Sequence, residues 1–326
     1  MIMRFGFLVL LLVAALVGSI LLGAADIPSR DVFQALMGGG DDTTRAIVLQ
    51  LRVPRSVLAI LVGGGLALSG AVFQALLRNP LAEPYILGIS GGSAVGAVLV
   101  IVLGLGVRFP WLLPVAAFGG AVLAMVVVLR IAVGLGPAIN TRVLLLAGVV
   151  VGAFFNAIIL LILNFADVNA FRTAIFWMMG NLNGATWGSV AILAGYLIPS
   201  AMVLLALARS FNLIAVGEET ALYLGTRVSR VRLIAYVTTS LLVGASVAVS
   251  GVIGFVGLIV PHAIRMAWGS DHRTLLPASV LAGGAFLLLA DTVARTLAAP
   301  AELPTGVVTA LAGVPLFVIL LVRSNR

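Results

Sequence analysis

One short motif in this sequence has the residue types of a covalent catalyst. Gly88-Ile89-Ser90-Gly91-Gly92 satisfies the G-x-S-x-G pattern, in which a nucleophilic serine lies on a sharp strand-to-helix turn. His262, one of two histidines, would then be the base of an intramembrane serine protease. However, no strand pattern precedes the motif, and a chain with 37 glycines matches it easily. The sequence favours the alternative, a loop that leads into a helix with Ser90 as its N-cap.

Most other catalytic chemistry is excluded by composition. The chain has no cysteine, which excludes disulfides, thiolate metal ligands and cysteine nucleophiles. All 19 basic residues are arginine, so the Gly-Lys-Ser/Thr end of a phosphate-binding loop is absent and any ATP must be bound by another subunit. His262 follows Pro261, and His272 stands between Asp271 and Arg273, without metal-binding spacing. The sequence therefore predicts no metal ion and no cofactor in this chain.

Ionisable residues are scarce in the apolar segments. Asp291 and Arg295 are four positions apart, where they could pair on one helix face, and Asn156 is polar but uncharged. Coupled transporters usually carry ionisable residues within their membrane spans. This scarcity argues against a proton- or sodium-driven carrier.

The elements that position these residues are membrane helices. Hydrophobic residues make up 62% of the chain and charged residues 9%, against roughly 25% charged in soluble domains. We therefore predict an all-α polytopic membrane protein that forms one domain over residues 1–326. Gly88, Gly92 and Gly96 recur at four-residue intervals, which predicts close helix packing.

A membrane helix needs about 20 mostly apolar residues, and ten segments are candidates. Two of them, the third and the eighth, are short or rich in glycine, which predicts broken or tilted helices. The candidates are 5–24, 56–77, 92–107, 113–133, 142–163, 189–208, 233–249, 251–267, 275–297 and 304–322.

The arginines predict the orientation, since cytoplasmic loops carry an excess of basic residues. With a cytoplasmic N-terminus, twelve of the 19 arginines fall inside and six acidic residues fall outside. Both termini are then cytoplasmic, and the net charge of +8 reflects topology rather than a nucleic-acid partner. An alternative is that Arg4, the following apolar run and Gly23-Ala24-Ala25 form a cleaved signal peptide, which would leave nine spans. The twelve inner arginines are Arg4, Arg78, Arg130, Arg142, Arg209, Arg227, Arg230, Arg232, Arg265, Arg273, Arg323 and Arg326; the outer acidic residues are Asp26, Asp31, Asp41, Asp42, Asp167 and Glu302.

Several segments, taken in order, carry a family resemblance. Together they closely resemble the permease subunits of binding-protein-dependent ABC importers for iron–siderophore complexes, haem and cobalamin (the FecCD type, or type II), over essentially the whole chain. The segments are LRVPRSVLAILVGGGLALSGAVFQALLRNPLAEPYILGISGG (51–92), VGEETALYLG (216–225), GFVGLIVPHAIR (254–265), DHRTLLPASVLAG (271–283) and ADTVARTLAAPAELPTGVVTALAGVPLF (290–317).

The resemblance implies a function and a set of partners. It implies a homodimer of ten-helix subunits in the inner (plasma) membrane, two cytoplasmic ATP-binding subunits and a periplasmic substrate-binding protein. The chain would be a transport subunit and not an enzyme, and it would move an iron chelate (siderophore or haem) or cobalamin along the dimer axis. The glycine- and alanine-rich fifth and tenth spans could line that path. A channel or ion-coupled secondary transporter is the main alternative, and the intramembrane protease a more distant one.

The cytoplasmic segment 213–228 resembles the element through which such permeases couple to the ATPase. Its own sequence predicts a short helix between Gly217 and Gly225. Glu218 and Glu219 would lie in the first turn, where carboxylates complement the helix dipole, and Gly225 suits the left-handed residue that ends a helix. A surface helix without a partner is the alternative. The residues that match the family pattern are Gly217, Glu218, Ala221, Leu224 and Gly225.

Three outer arginines match positions at which related permeases present positive charge to acidic residues of the binding protein. They are Arg52, Arg55 and Arg295, and Pro54 fixes the backbone between the first two. Exposed ion pairs contribute only about 0–1 kcal/mol, so these arginines would steer docking. Alternatively, they anchor helix ends at the headgroups. The segment RNPLAEP (78–84) would form a rigid turn, either beside the ATPase or purely structural.

Overall fold

The computed structural model describes residues 2–23, 25–134 and 141–324, and most of these residues are helical. Within those ranges there is no β-strand, so the all-α fold is confirmed. Arg326, counted above as cytoplasmic, lies outside them. The α-helices described are α1 Ile2–Leu21, α2 Ser29–Leu36, α3 Asp42–Ala46, α4 Val53–Leu76, α5 Ile89–Val102, α6 Leu105–Arg108, α7 Leu112–Gly134, α8 Thr141–Asn164, α9 Val168–Met178, α10 Trp187–Ala206, α11 Ala208–Val216, α12 Glu218–Tyr223, α13 Val228–Ser250, α14 Val256–Trp268, α15 His272–Thr296 and α16 Thr305–Ser324; a π-helical turn, Ile47–Arg52, precedes α4, and a 3₁₀ turn, Pro84–Leu87, precedes α5.

All ten predicted spans overlap an apolar helix. Seven helical stretches are long and apolar enough to cross a membrane: α1, Asp42–Leu76 (which includes α4), α7, α8, α10, α13 and α15. Three shorter apolar helices correspond to the other predicted spans: α5, α14 and Thr305–Leu320 of α16. Helices α5 and α14 have only 14 and 13 residues, as the sequence predicted for the third and eighth spans. The total of ten crossings stays a prediction.

Helix α4 is the centre of the bundle, and every residue from Val62 to Leu76 is buried. Its glycines allow two neighbours to approach very closely. A Cβ atom on Gly63 would lie 2.2 Å from the carbonyl oxygen of Gly283 in α15, and one on Gly70 would lie 1.8 Å from that of Gly257 in α14. Because no hydrophobic effect drives helix association in lipid, such close backbone contact is a main source of packing energy.

Helices α5 and α7 pack in the same way. A Cβ atom on Gly92 would lie 2.3 Å from the carbonyl oxygen of Gly120, and one on Gly96 would lie 2.1 Å from that of Ala116. Gly88 precedes α5 with a φ of +75° and lies against α8. The four-residue glycine spacing therefore marks a helix-packing face, as predicted.

The division between α13 and α14 is confirmed, and residues 251–255 between them are not helical. Gly251 has a φ of +66°, and Phe255, which begins the next helix, has a φ of +69°. The loop that contains RNPLAEP holds this break in place. The Glu83 carboxylate accepts a hydrogen bond from the Phe255 N–H at 2.8 Å, and the Tyr85 hydroxyl donates to the Ile253 carbonyl at 2.9 Å. Burial raises the pKa of the Glu83 carboxyl.

The bundle has two distinct ends. At one end Arg55 of α4 meets Asp291 of α15. At the other end Phe5 of α1 packs edge-on against Trp268 of α14, and the His272 N–H donates to the side chain of Asn212 in α11. We refer to them as the Arg55 end and the His272 end. The arginine distribution predicts that the Arg55 end faces outwards.

Candidate functional sites at the two ends of the bundle

The Arg55 end holds a buried ion network. The Arg55 guanidinium donates from Nε and Nη2 to Asp291, at 3.0 and 2.9 Å, and from Nη1 to Glu302 at 2.9 Å. Asp291 has no exposed area, also accepts from the Thr305 hydroxyl at 3.1 Å and lies 3.6 Å from Nε of Arg295. The pairing of Asp291 with Arg295 is therefore present, as predicted. The closer partner of Asp291 is Arg55, which lies on another helix. Residue spacing within one helix could not reveal this contact.

The other two arginines hold the end of α1. Arg295 is 3% exposed and donates to the backbone oxygen and the hydroxyl of Ser19. Arg52 is 5% exposed and donates to three carbonyl oxygens at and beyond the C-terminal end of α1, at 2.6 to 3.0 Å. A cation is favourable at that end of a helix because the last carbonyls have no partner within the helix. Both arginines thus stabilise the end of α1, and their docking role stays a prediction.

All three arginines nevertheless face one pocket. It has a volume of about 380 Å³ and is lined by Arg52, Arg55, Arg295, Glu302 and Asn183, among others. The structure therefore brings the three predicted docking residues together. Glu302, which the sequence marked only as an outer acidic residue, shares Arg55 with Asp291 and is the more exposed of the two carboxylates, at 28% against 0%.

The predicted coupling helix is present at the His272 end. Helix α12 begins directly after Gly217, with Glu218 and Glu219 in its first turn. It ends before Gly225, whose φ of +79° is the predicted left-handed conformation. The Thr226 N–H donates to the carbonyl oxygen of Ala221 at 2.8 Å and closes the last turn. The sequence therefore predicted both boundaries of this element correctly.

Helix α12 has an anchored side and an exposed apolar tip. Ala221 has no exposed area, and Glu218 forms an ion pair with the buried Arg232 of α13. In contrast, Leu222, Tyr223 and Leu224 are 58%, 91% and 62% exposed. A cluster of exposed apolar side chains is typical of an interaction surface. Of the five predicted coupling residues, Leu224 is thus the one that presents an apolar contact.

The protease interpretation gains no geometric support. Ser90 is the second residue of α5, and the N-cap is Gly88, so the predicted N-cap role of Ser90 is wrong. The His262 side chain packs edge-on against Phe317, with ring centroids 6.3 Å apart. Neither of its ring nitrogens has a hydrogen-bond partner within residues 2–23, 25–134 and 141–324, so no nucleophile–base pair with Ser90 is formed there.

Helices α8 and α16, the predicted fifth and tenth spans, expose long apolar faces. On α8, Leu146 and Phe154 are 67% and 63% exposed, and on α16, Leu311 is 71% exposed. A cleft of about 550 Å³ beside α16 is lined by apolar residues that include Met179 and Val252. These faces are suited to lipid or to a second copy of the chain.

The chain forms an apolar helical bundle with an ion network at one end and an exposed helix tip at the other. This architecture is consistent with a membrane permease. Comparison with known proteins agrees. The model of the FecCD transport family matches residues 10–323. The hemin transport system permease protein HmuU of Yersinia pestis is 40% identical over 331 residues, covering 98% of this chain and 96% of HmuU. The vitamin B12 import system permease protein BtuC of Citrobacter koseri is 43% identical over 279 residues, covering 86% of this chain and 84% of BtuC.

A solved structure extends this similarity to three dimensions. An inward-facing conformation of a metal-chelate type ABC transporter superposes with a TM-score of 0.87 at 33% identity, covering 98% of this chain and 99% of the other. The chain belongs to the FecCD transport family. It is a multi-pass transport permease of the inner membrane, which confirms the predicted class and location.

Proposed function

We propose that this permease is the membrane subunit of an ABC importer that carries an iron chelate, haem or cobalamin inwards with ATP hydrolysed by partner subunits. The observation that carries the proposal is similarity over nearly the whole chain to permeases named for hemin and vitamin B12. The chain contains no lysine and hence no phosphate-binding loop of its own. ATP hydrolysis is therefore assigned to a separate nucleotide-binding subunit.

The His272 end is the proposed contact with that subunit. The tip of α12 offers the apolar side chains Leu222, Tyr223 and Leu224, while Glu218 and Arg232 tie the helix to α13. A force on the tip would be passed to α13 and across the break at 251–255 to α14. This arrangement supports a coupling role for Gly217, Glu218, Ala221, Leu224 and Gly225.

The Arg55 end is the proposed contact with the binding protein. Arg52, Arg55 and Arg295 face one pocket there. Arg52 and Arg295 also hold the end of α1, so their charges act mainly as a fixed positive field. Arg55, through Nη1, is the group best placed to meet a carboxylate that enters from the pocket. Such charges speed association more than they strengthen it.

A homodimer is proposed because one copy leaves the apolar faces of α8 and α16 without cover. Two copies facing each other there would enclose a path lined mainly by small and apolar side chains. A large rigid solute requires little more, because its recognition resides in the binding protein.

Transport with defined components tests the proposal. The permease, the ATPase and the binding protein encoded with it would be reconstituted in proteoliposomes, with haem, cobalamin and a ferric siderophore offered separately. We expect ATP-dependent uptake of one of these, lost when the catalytic glutamate of the ATPase is replaced. Uptake by this chain alone, driven by an ion gradient, would refute the proposal in favour of a secondary transporter.

The docking contact needs a variant that respects the ion network, because reversing Arg55 would place a second carboxylate beside the buried Asp291. The double variant Arg55→Gln with Asp291→Asn removes a charge of each sign. We expect weaker equilibrium binding of the binding protein, because its carboxylate loses the Arg55 guanidinium while the net charge at this end stays the same. The matched control is Arg45→Gln with Asp42→Asn, which removes an exposed pair on the same side of the bundle. Equal affinities for both double variants would mean that Arg55 does not dock the partner.

A further inference from the structure

We propose that Glu302 is an internal competitor for the binding protein: it occupies the edge of Arg55 that a docking carboxylate requires and must leave when the partner binds. The inference rests on the proposed docking role of the Arg55 pocket. It assigns to Glu302 control over the affinity of that contact.

The two carboxylates on Arg55 are not equivalent. Asp291 is fully buried, bridges Nε and Nη2 and is fixed further by the Thr305 hydroxyl. Glu302 is 28% exposed and binds only Nη1, with its two oxygens at 2.9 and 3.2 Å. Because Asp291 occupies Nε and Nη2 of the planar guanidinium, Nη1 is the position left for a second carboxylate. Glu302 already occupies that position.

The charges of the pocket favour an exchange of carboxylates. Arg52, Arg55, Arg295 and Glu302 line the pocket, and the buried Asp291 pairs with Arg55 behind it, so these five residues together carry a net charge of +1. If Glu302 turned away, the net charge facing the pocket would rise to +2. A carboxylate of the partner would restore the original balance, so the exchange leaves Arg55 with a carboxylate at Nη1.

The chain around Glu302 permits this movement without unfolding a helix. Glu302 lies between α15 and α16, in a stretch that is not α-helical. The neighbouring Leu303 N–H donates to the Ala294 carbonyl oxygen at 2.9 Å and holds the backbone. Rotation of one side chain therefore suffices to release Arg55. Asp291, packed inside the bundle, has no such freedom.

Removing the competitor should strengthen docking. Glu302→Gln keeps the size of the side chain and abolishes its charge. A partly exposed ion pair corresponds to a factor of about two to five in an equilibrium constant, so we expect the affinity for the binding protein to rise by about two- to fivefold. The control is Asp42→Asn, which removes another carboxylate of this side that pairs with the exposed Arg45 and does not line the pocket. Glu302→Ala provides a second variant in case the glutamine retains the contact.

The measurement is the equilibrium affinity and association rate of the purified binding protein on the permease–ATPase complex in nanodiscs. Thermal unfolding of each variant would establish that it is folded. A gain for Glu302→Gln and Glu302→Ala but not for Asp42→Asn supports the inference. An equal gain in affinity for Asp42→Asn would mean that the effect comes from the net charge of this side and not from Glu302, which would overturn the inference. No gain in affinity for either Glu302 variant would also overturn the inference. If the inference about Glu302 fails in either way, the proposed docking site still stands, provided that the Arg55→Gln, Asp291→Asn double variant weakens binding. If that double variant binds normally, the docking site itself is wrong.

Discussion

Leu224 is expected to supply a measurable share of the contact with the ATPase. It lies just after α12, is 62% exposed and is flanked by other exposed apolar residues. Complete burial of a leucine side chain contributes about 1.5–3 kcal/mol, so covering the exposed 62% would contribute about 1–2 kcal/mol. Leu224→Ala should therefore weaken assembly with the ATPase by about five- to thirtyfold. Leu224→Asp should weaken it further, because a charge must then be buried at an apolar contact.

The assay is a titration of the purified ATPase onto the permease in nanodiscs, followed by measurement of ATP-driven uptake. Leu297→Ala is the matched control, since Leu297 is 72% exposed but lies next to α15 at the Arg55 end. Both substitutions remove the same atoms from an exposed site, so their effects on thermal stability should be similarly small. Only Leu224→Ala should alter the affinity for the ATPase.

Two outcomes would refute this reasoning. If Leu224→Ala assembled with the parental affinity, the tip of α12 would not be the contact. If Leu224→Ala and Leu297→Ala lost affinity equally, the effect would come from general destabilisation of the permease. Loss of thermal stability together with loss of assembly is instead expected for Ala221→Asp, because Ala221 is fully buried.

Three further predictions concern packing, capping and topology. Gly70→Ala should lower the free energy of unfolding by about 1–3 kcal/mol, because its Cβ would lie 1.8 Å from a carbonyl oxygen of α14. Gly195→Ala should be neutral, because its Cβ would have no atom within 4 Å. Asp271→Ala should lower the free energy of unfolding by about 0.5–2 kcal/mol, because the N-cap of α15 is lost. The hydrogen bond from the Arg273 N–H lowers the pKa of the Asp271 carboxyl. The stabilisation by Asp271 is therefore complete above the ordinary pKa of 3.8 and is lost as the pH falls through the lower folded-state pKa. A cysteine at Thr226 should resist an impermeant maleimide added outside intact cells, and labelling there would reverse the proposed orientation.

Local patterns in the sequence determined the helices, including the short helix α12 proposed for coupling. Apolar runs of the length of a bilayer identified an apolar helix at every predicted span, because a helix in lipid must satisfy its backbone internally and so leaves a clear signal. The boundaries of α12 were also predictable, since Gly217, the two glutamates of the first turn and Gly225 act within a few residues of one another. The motifs of the whole chain were specific enough to identify the family.

One local prediction was wrong, and one long-range contact was missed. Ser90 had the right residue type for an N-cap, but Gly88 can adopt a φ of +75° and takes that position instead. RNPLAEP was predicted to form a rigid turn, either beside the ATPase or purely structural. Its Glu83 also accepts a hydrogen bond from the N–H of Phe255, which lies 172 positions away directly before α14.

Only the tertiary structure determined how the outer arginines are used. No sequence pattern indicated a partner for Arg55, yet it pairs with Asp291 and Glu302, 236 and 247 positions away. The sequence also placed Arg52 and Arg295 among exposed charges, although both are buried against α1. The reason is physical. A helix pattern depends on neighbours within a few residues, whereas the partner of a buried charge depends on which helices pack together, and that is decided here by close glycine contacts such as Gly63 with Gly283.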